Sequence, residues 1–424
     1  MSAATLQEQT GRPVHHVRTR CRACGGSSLV RFLSLGLQPL ANANLRDPAE
    51  ARDELRFPLD LYFCEGCSLV QLVDVIDPEV LFRHYIYVTG TSETIAAHNR
   101  DYARTVVDLL NLGPDDLVVE AASNDGSLLS CFRDIGVRTL GVEPAINIAA
   151  VAQEKGVETV TEFFGEQTGA ELRRSRGRAR AVLGNNVLAH VDDTVGFLRG
   201  ARSLIDEEGL VIVEVPHALP MLEKLEYDTV YHEHLCYFSL TALIRLFEAA
   251  GLRVVRVDRQ AVHGGTIRVY GALPSSGRRA GAEVVAMIAE EQAAGLTSLD
   301  RWHRFARDVE AQRAALLALL AELRAAGKSI AGYGAPAKGN TLLNYCGIGT
   351  DLVPYTVDRN PLKVGTWTPG THLPVLPADT LVERQPDYVL ILAWNFADEI
   401  MRQQRAYQSA GGRFIIPIPS PVVL

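Results

Sequence analysis

The chain has 424 residues, 47% of them hydrophobic and 22% charged, with a formal net charge of -8. That length accommodates two or three cores, the composition is that of an ordinary globular protein, and the acidic balance argues against nucleic acid as the main partner. Residues 1–10 lack the apolar core of a signal peptide and no apolar run is long enough to span a bilayer, so a cytoplasmic protein without membrane contact is expected.

Seven cysteines in a reducing compartment are not expected to pair as disulfides, and four of them have a different arrangement. Cys21-Arg22-Ala23-Cys24 and Cys64-Glu65-Gly66-Cys67 are two C-x-x-C knuckles, each able to present two thiolates to one tetrahedral ion. Four protein ligands close the coordination shell, so the spacing predicts one structural zinc. A redox pair is the competing reading, but a thioredoxin-type site needs one C-x-x-C within a strand and helix unit.

From Asp115 short apolar runs alternate with amphipathic segments, which predicts a doubly wound parallel sheet. Residues 117–121 read as its first strand. The turn Ser123-Asn124-Asp125-Gly126 follows, then a helix over 127–134, a strand over 138–142 and Glu143 at that strand's tip. A small-residue turn after strand one lets a ligand approach the backbone, and an acid ending strand two can accept hydrogen bonds from ribose hydroxyls. Residues 121–126 lack the G-x-G-x-x-G pattern, so this signal is weak by itself. A basic run from Arg173 to Arg180 reads as a solvated helix end. A strand at 181–185, a helix at 192–205, a strand at 210–215 and a helix at 239–250 lead into an antiparallel hairpin, 252–258 with 266–273.

Tyr231-His232-Glu233-His234 concentrates two imidazoles, a carboxylate and a phenol. A helical zinc motif would need histidines one turn apart, and the residue four beyond His232 is Cys236. Proton transfer uses such a cluster better, since histidine titrates near neutrality. A polar solvated loop is the plainer alternative. Further on, 281–327 reads as helices, and a glycine-rich turn at 332–339 precedes a helix at 341–345. Its backbone N–H groups and Lys338 suit a diphosphate, although an ordinary strand-to-helix turn has the same composition. Cys131, Cys236 and Cys346 are expected to pack as small apolar residues, and His263 with its two following glycines to make a turn.

Taken in order, the knuckles, the aromatic run at 85–92, the Ser123 turn, Glu143-Pro144-Ala145, the segment from Asn185 to His190, Tyr231 to His234, His263-Gly264-Gly265 and the 332–339 turn span nearly the whole chain. Together they resemble the three-domain sugar C-methyltransferases of deoxysugar and antibiotic biosynthesis. The resemblance implies an α/β protein. Its parts would be a zinc-binding module over 1–80, a class I SAM-methyltransferase doubly wound sheet over 81–280, and a C-terminal Rossmann-like α/β domain over 281–424 that holds the nucleotide-sugar.

By the same resemblance Cys21, Cys24, Cys64 and Cys67 hold structural zinc. Glu120, Ser123, Asn124, Asp125, Gly126, Glu143 and Asn185 line the S-adenosyl-L-methionine (SAM) site, and Gly334, Lys338, Asn340 and Asp358 contact the substrate. His234 is the implied catalytic base, with Glu233 setting its orientation and basicity, while Tyr231, Tyr87 and His190 surround the sugar. The implied reaction is methylation at C-3 of a dTDP-linked 4-keto sugar by a monomeric enzyme, with relatives acting at C-5. An O- or N-methyltransferase and a non-enzymatic nucleotide-sugar binding protein are the competing classes. Ala121-Ala122 stands where related sequences often have a glycine.

Overall fold

A computed structural model describes residues 13–83, 93–262 and 264–424; Tyr87, the rest of the aromatic run and His263 lie outside the described residues. At the N-terminal end β1 (His15–Val17) pairs with β5 (Asp74–Ile76), while β2 (Leu29–Pro39), β3 (Arg56–Cys64) and β4 (Val70–Leu72) form an antiparallel meander. The knuckles sit at the ends of these strands. Gly25, at φ +71, supplies the left-handed residue that the first knuckle needs to turn back, and its N–H reaches the Cys21 carbonyl at 3.0 Å.

The central sheet is built from β6 (Leu117–Ala121), β7 (Arg138–Val142), β8 (Thr159–Val160), β9 (Ala179–Asn185) and β10 (Ile205–Pro216), all parallel. Every residue of β6 is buried, as expected for a strand covered by helices on both faces. After β11 (Cys236–Tyr237), the strands β12 (Arg253–Gln260) and β13 (Thr266–Ala272) form the expected hairpin, and the sheet order is β12-β13-β10-β9-β6-β7-β8. Two-residue β11 does not join this sheet. It pairs with β4, Cys236 opposite Gln71, so the residues just after the Tyr231–His234 cluster complete the sheet of the cysteine-rich region.

The helix Glu93–Leu110 buries Asn99, Tyr102, Ala103, Val106 and Leu110, positions three or four apart that form one face. A charged cluster fastens it to the sheet: His98 Nε2 lies 2.9 Å from Glu214, Glu214 pairs with Arg268, and that guanidinium stacks 3.5 Å from the Tyr102 ring centroid. Helices Ala282–Ala294 and Leu299–Ala325 then lead to the last sheet. Fully buried Glu291 accepts bonds from His217, from the N–H of Leu240 and from both the N–H and hydroxyl of Thr241, which ties the first of these helices to the central domain.

The C-terminal sheet comprises β14 (Ile330–Tyr333), β15 (Thr356–Asp358), β16 (Val375–Pro377), β17 (Tyr388–Ile391), β18 (Arg413–Ile416) and β19 (Val422–Val423), in the order β16-β15-β14-β17-β18-β19. Strand order reverses between β14 and β17, so a crevice opens beyond their carboxyl ends. The helix expected at 341–345 is longer and starts at Ala337, which draws Lys338 and Asn340 into its first turn. No helix among the described residues is long and apolar enough to cross a membrane.

Candidate active site and metal centre

The four knuckle cysteines converge, with their sulfurs all within 4.8 Å of one another. Cys21 Sγ to Cys67 Sγ is 3.5 Å and Cys24 Sγ to Cys64 Sγ is 3.6 Å, close to the ~3.8 Å edge of a tetrahedron of thiolates about 2.3 Å from one ion. The donor set therefore fits zinc. Around it, Gln71 Nε2 donates to Cys21 Sγ at 3.2 Å and the same side chain's Oε1 accepts the Arg22 backbone N–H at 3.2 Å. Arg22, a buried cation, is held by Asp192 at 3.1 Å and by the Leu72 carbonyl.

At the carboxyl edge of the central sheet, the turn after β6 is wound tightly: Ala122, Asn124 and Gly126 have φ of 55°, 49° and 72°. A Cβ on Gly126 would approach Val157 Cγ2 to 2.9 Å, so only glycine fits there. Glu143 holds the turn from the tip of β7, its two oxygens accepting the N–H groups of Asn124 and Ala145 at 2.8 Å each. Burial raises its carboxyl above the ordinary range. Asp125 faces another way. Burial alone would raise its carboxyl, but Lys155 at 2.5 Å and the Ser127 hydroxyl at 2.6 Å outweigh that and lower it, so Asp125 braces the turn.

Glu120 and Asn185 end adjacent strands, and the Asn185 amide donates to Glu120 Oε1 at 3.2 Å. Glu120 Oε2, Ser123 Oγ and Asn185 Oδ1 are buried without a hydrogen-bond partner among the described residues. Buried polar atoms are normally satisfied, so these three atoms beside a glycine-bearing turn fit a polar ligand such as SAM. Desolvation keeps the Glu120 carboxyl well above its usual range.

The Tyr231–His234 stretch lies against the loop that leaves β9: Leu235 N–H donates to the Ala189 carbonyl at 2.7 Å. One loop thus begins at Asn185 and ends at His190. The His190 and His234 rings meet edge to face with centroids 4.9 Å apart, and Phe82 packs edge-on against His190 at 5.7 Å. Burial lowers His190 to about 4, so it is neutral at physiological pH. His234 Nδ1 lies 3.0 Å from the Thr229 carbonyl and its Nε2 2.7 Å from the Tyr231 hydroxyl.

The expectation that Glu233 orients His234 requires correction. Side chains of consecutive residues diverge at this turn, and Glu233 Oε1 instead accepts from Asn42 Nδ2 at 2.6 Å, across 191 residues of sequence. The orienting acceptor of His234 is the Thr229 carbonyl. Desolvation lifts the buried Glu233 carboxyl to about 7. His232 points to the cysteine-rich region, with Nε2 3.2 Å from the Pro58 carbonyl, and burial lowers it to about 4. Neither Asn42 nor Thr229 stood out in the sequence. A polar residue in a loop and a backbone carbonyl carry no spacing signal.

In the C-terminal crevice Gly334 has φ +93, a conformation that favours glycine. Asp358 accepts the Ala335 N–H at 2.7 Å and the Asn360 N–H at 2.8 Å, and the Gly334 N–H donates to the Val357 carbonyl at 2.6 Å, so the Gly334 and Ala335 amides of the glycine-rich turn are already engaged. Lys338 Nζ lies 3.6 Å from Glu226 and 5.7 Å from the Trp394 ring centroid, and Trp394 Nε1 donates to Asp228 at 2.6 Å. Asn340 is buried, its amide donating to the Ala41 carbonyl at 2.8 Å, so it faces the cysteine-rich region.

Three families match consecutive parts of the chain: a zinc binding domain at residues 21–82, a methyltransferase domain at 95–257 and a C-methyltransferase C-terminal domain at 261–419. Among curated proteins, the C-methyltransferase NovU of Streptomyces niveus is 41% identical over 404 residues, covering 95% of this chain and 96% of that protein. Solved structures match more loosely. The CcbJ methyltransferase from Streptomyces caelestis is 17% identical, with a TM-score of 0.35 over 46% of this chain and 96% of that one. Magnesium protoporphyrin IX methyltransferase from Synechocystis PCC 6803 with bound SAM is 15% identical, with a TM-score of 0.32 over 43% of this chain and 82% of that one. Superpositions this loose carry no argument about the site.

Proposed function

Because the chain belongs to the SAM-dependent C-methyltransferases that carry an N-terminal zinc-binding domain, we propose that it methylates a carbon flanking the ketone of a dTDP-linked 4-keto deoxysugar, at C-3. C-5 flanks the same ketone and is the alternative position. The observation that carries this reading is the pair made by the Tyr231 hydroxyl and His234 Nε2, 2.7 Å apart. A heteroatom nucleophile has less need of a base, whereas a carbon acid needs one.

A carbonyl oxygen only accepts, so Nδ1 of neutral His234 carries the proton it gives to Thr229, and Nε2 is the basic atom. With Tyr231 donating to Nε2, the pair takes up the substrate's proton: it reaches the tyrosine oxygen as the phenol passes its own proton to the imidazole. Electrons of the broken C–H bond move toward the ketone oxygen, and the carbon then forms its new bond to the methyl group. SAM supplies that methyl as a sulfonium substituent whose bonding pair leaves with sulfur. Neutral His190, ring to ring with His234, offers a polar edge for the sugar without adding a competing cation.

Glu120, Ser123 and Asn185, on their unsatisfied atoms, and Glu143, on its position at the tip of β7 beside the turn, are the residues we assign to SAM. The crevice beside Lys338, Gly334 and Trp394 is assigned to the nucleotide, and the protein is proposed to work as a cytoplasmic monomer. Incubation with SAM and a panel of dTDP-4-keto sugars, followed by mass and NMR assignment of the product, tests the reading. A new C–CH3 group at C-3 or C-5 is expected. Methyl transfer to oxygen or nitrogen, or none across the panel, would overturn it.

A further inference from the structure

We propose that Asn42, carried by the strap that leaves the zinc-binding sheet, is a positioning residue for the reaction and holds Glu233 in place from a different domain. This rests on the reading that the Tyr231–His234 stretch performs proton chemistry.

The strap, residues 40–45, follows β2 directly and is fastened by the C-terminal domain on both sides of Asn42. Before it, the Ala41 carbonyl accepts from Asn340 at 2.8 Å; after it, Leu45 and Trp367 exchange two backbone bonds of 2.9 Å, and Asn44 Nδ2 donates to Thr366 Oγ1 at 2.9 Å. A segment pinned this way presents its intervening side chain at a set position. That side chain meets Glu233, which is 5% exposed, at 2.6 Å. Three parts of the chain therefore converge on one carboxyl group: Asn42 from the strap, Glu233 from the central domain, and Lys363 from the C-terminal domain.

The chemistry suits an amide. Asn42 can donate from Nδ2 to an ionised Glu233 or, turned over, accept at Oδ1 from a protonated one, so the contact survives a change of protonation. Burial brings Glu233 to about 7, where both forms are accessible. The charged and titratable groups around it are Lys363, whose Nζ is held 2.7 Å from the Ala335 carbonyl and whose own ammonium is disfavoured by burial, then Asp358 beside Lys363, and neutral His190 on the backbone side. Glu233 is also next in sequence to His234, so its position bears on where the basic imidazole lies.

The test compares wild type, Asn42→Ala and Asn42→Asp, each with Glu233→Gln as background, all retaining one zinc and normal SAM affinity. The first readout needs no sugar: 13C NMR titration of carboxyl-labelled glutamate, with the Glu233 signal assigned by its loss in Glu233→Gln. Removing a donor should raise the midpoint by about one pH unit, and a second carboxylate should raise it further. The second readout is turnover, expected to fall about tenfold in Asn42→Ala and by little on the Glu233→Gln background. A Glu233 titration identical in all three proteins, or an equal loss of turnover on both backgrounds, overturns the proposal. If Asn42→Asp does not retain zinc, wild type against Asn42→Ala still decides it. Absence of turnover with every 4-keto sugar counts against the substrate assignment and leaves the NMR result to judge Asn42.

Discussion

His234 Nδ1 lies 3.0 Å from the carbonyl oxygen of Thr229, and this contact selects the tautomer whose Nε2 faces Tyr231. The main chain thus determines which nitrogen of this imidazole is the basic one.

Replacing His234 with Asn removes that base. Turnover should fall by about a hundred- to ten-thousand-fold while SAM affinity measured by calorimetry stays the same. Solvent deuterium should no longer enter the carbon next to the ketone of the proposed substrate; near-normal exchange in the variant would exclude His234 as the base.

Lys338 is partly neutralised by Glu226, 3.6 Å away. Glu226→Gln should free the ammonium and lower the Michaelis constant for the proposed nucleotide-sugar several-fold, and Lys338→Ala should raise it by about tenfold. Steady-state kinetics with SAM saturating decides the matter, and an unchanged constant in Lys338→Ala would move the diphosphate elsewhere.

Acid lability should originate at the buried imidazoles of His190 and His232. Each folded value is lowered to about 4 from 6.5, so the unfolded chain binds these protons first, and stability is lost as pH falls from about 6.5 to about 4. The contribution of His232 is about 3 kcal/mol. Glu233 has the opposite sign, because its raised value makes the fold lose stability as pH rises from about 4.5 to about 7. Denaturant unfolding at pH 5 should show His232→Gln losing less stability relative to pH 7 than wild type does.

Ala122 occupies left-handed backbone at φ 55, where a Cβ is unfavourable. Ala122→Gly relieves that strain and should stabilise the protein by about 1 kcal/mol, read as an increased denaturation midpoint at unchanged m-value. A lower midpoint would mean that the entropy of the unfolded glycine outweighs the strain.

Zinc removal should disable more than its own module. Gln71 donates to the ligand Cys21, and its backbone pairs with Cys236, two residues beyond His234. Cys64→Ser should lose stoichiometric zinc by elemental analysis, lose folding free energy on the order of 10 kcal/mol in the module, and lose methyl transfer with it. Full activity in zinc-free protein would contradict this linkage.

Local patterns carried much of the fold. Buried parallel strands appear as short apolar runs, and two knuckles of identical cysteine spacing point to a shared ion, so β6, β7, β9 and the cysteine cluster were legible. Contacts set by tertiary packing were not. Adjacent Glu233 and His234 invite pairing on paper, yet the turn sends one carboxyl to Asn42 and one imidazole to a carbonyl. The first turn of the longer helix carries Asn340, whose amide reaches the Ala41 carbonyl across 299 residues, a contact with no local signal. Strand β11, two residues long, has no periodicity to read.

That short strand also sets an order of events during synthesis. The β2-β3-β4 meander leaves the ribosome early, but its fourth strand is Cys236–Tyr237, so one edge of the nascent sheet stays unpaired while more than a hundred further residues are made. Val70 and Leu72, buried in the finished protein, belong to that waiting edge. A nascent chain stalled before residue 236 should therefore expose a sticky strand, and one stalled well after it should not.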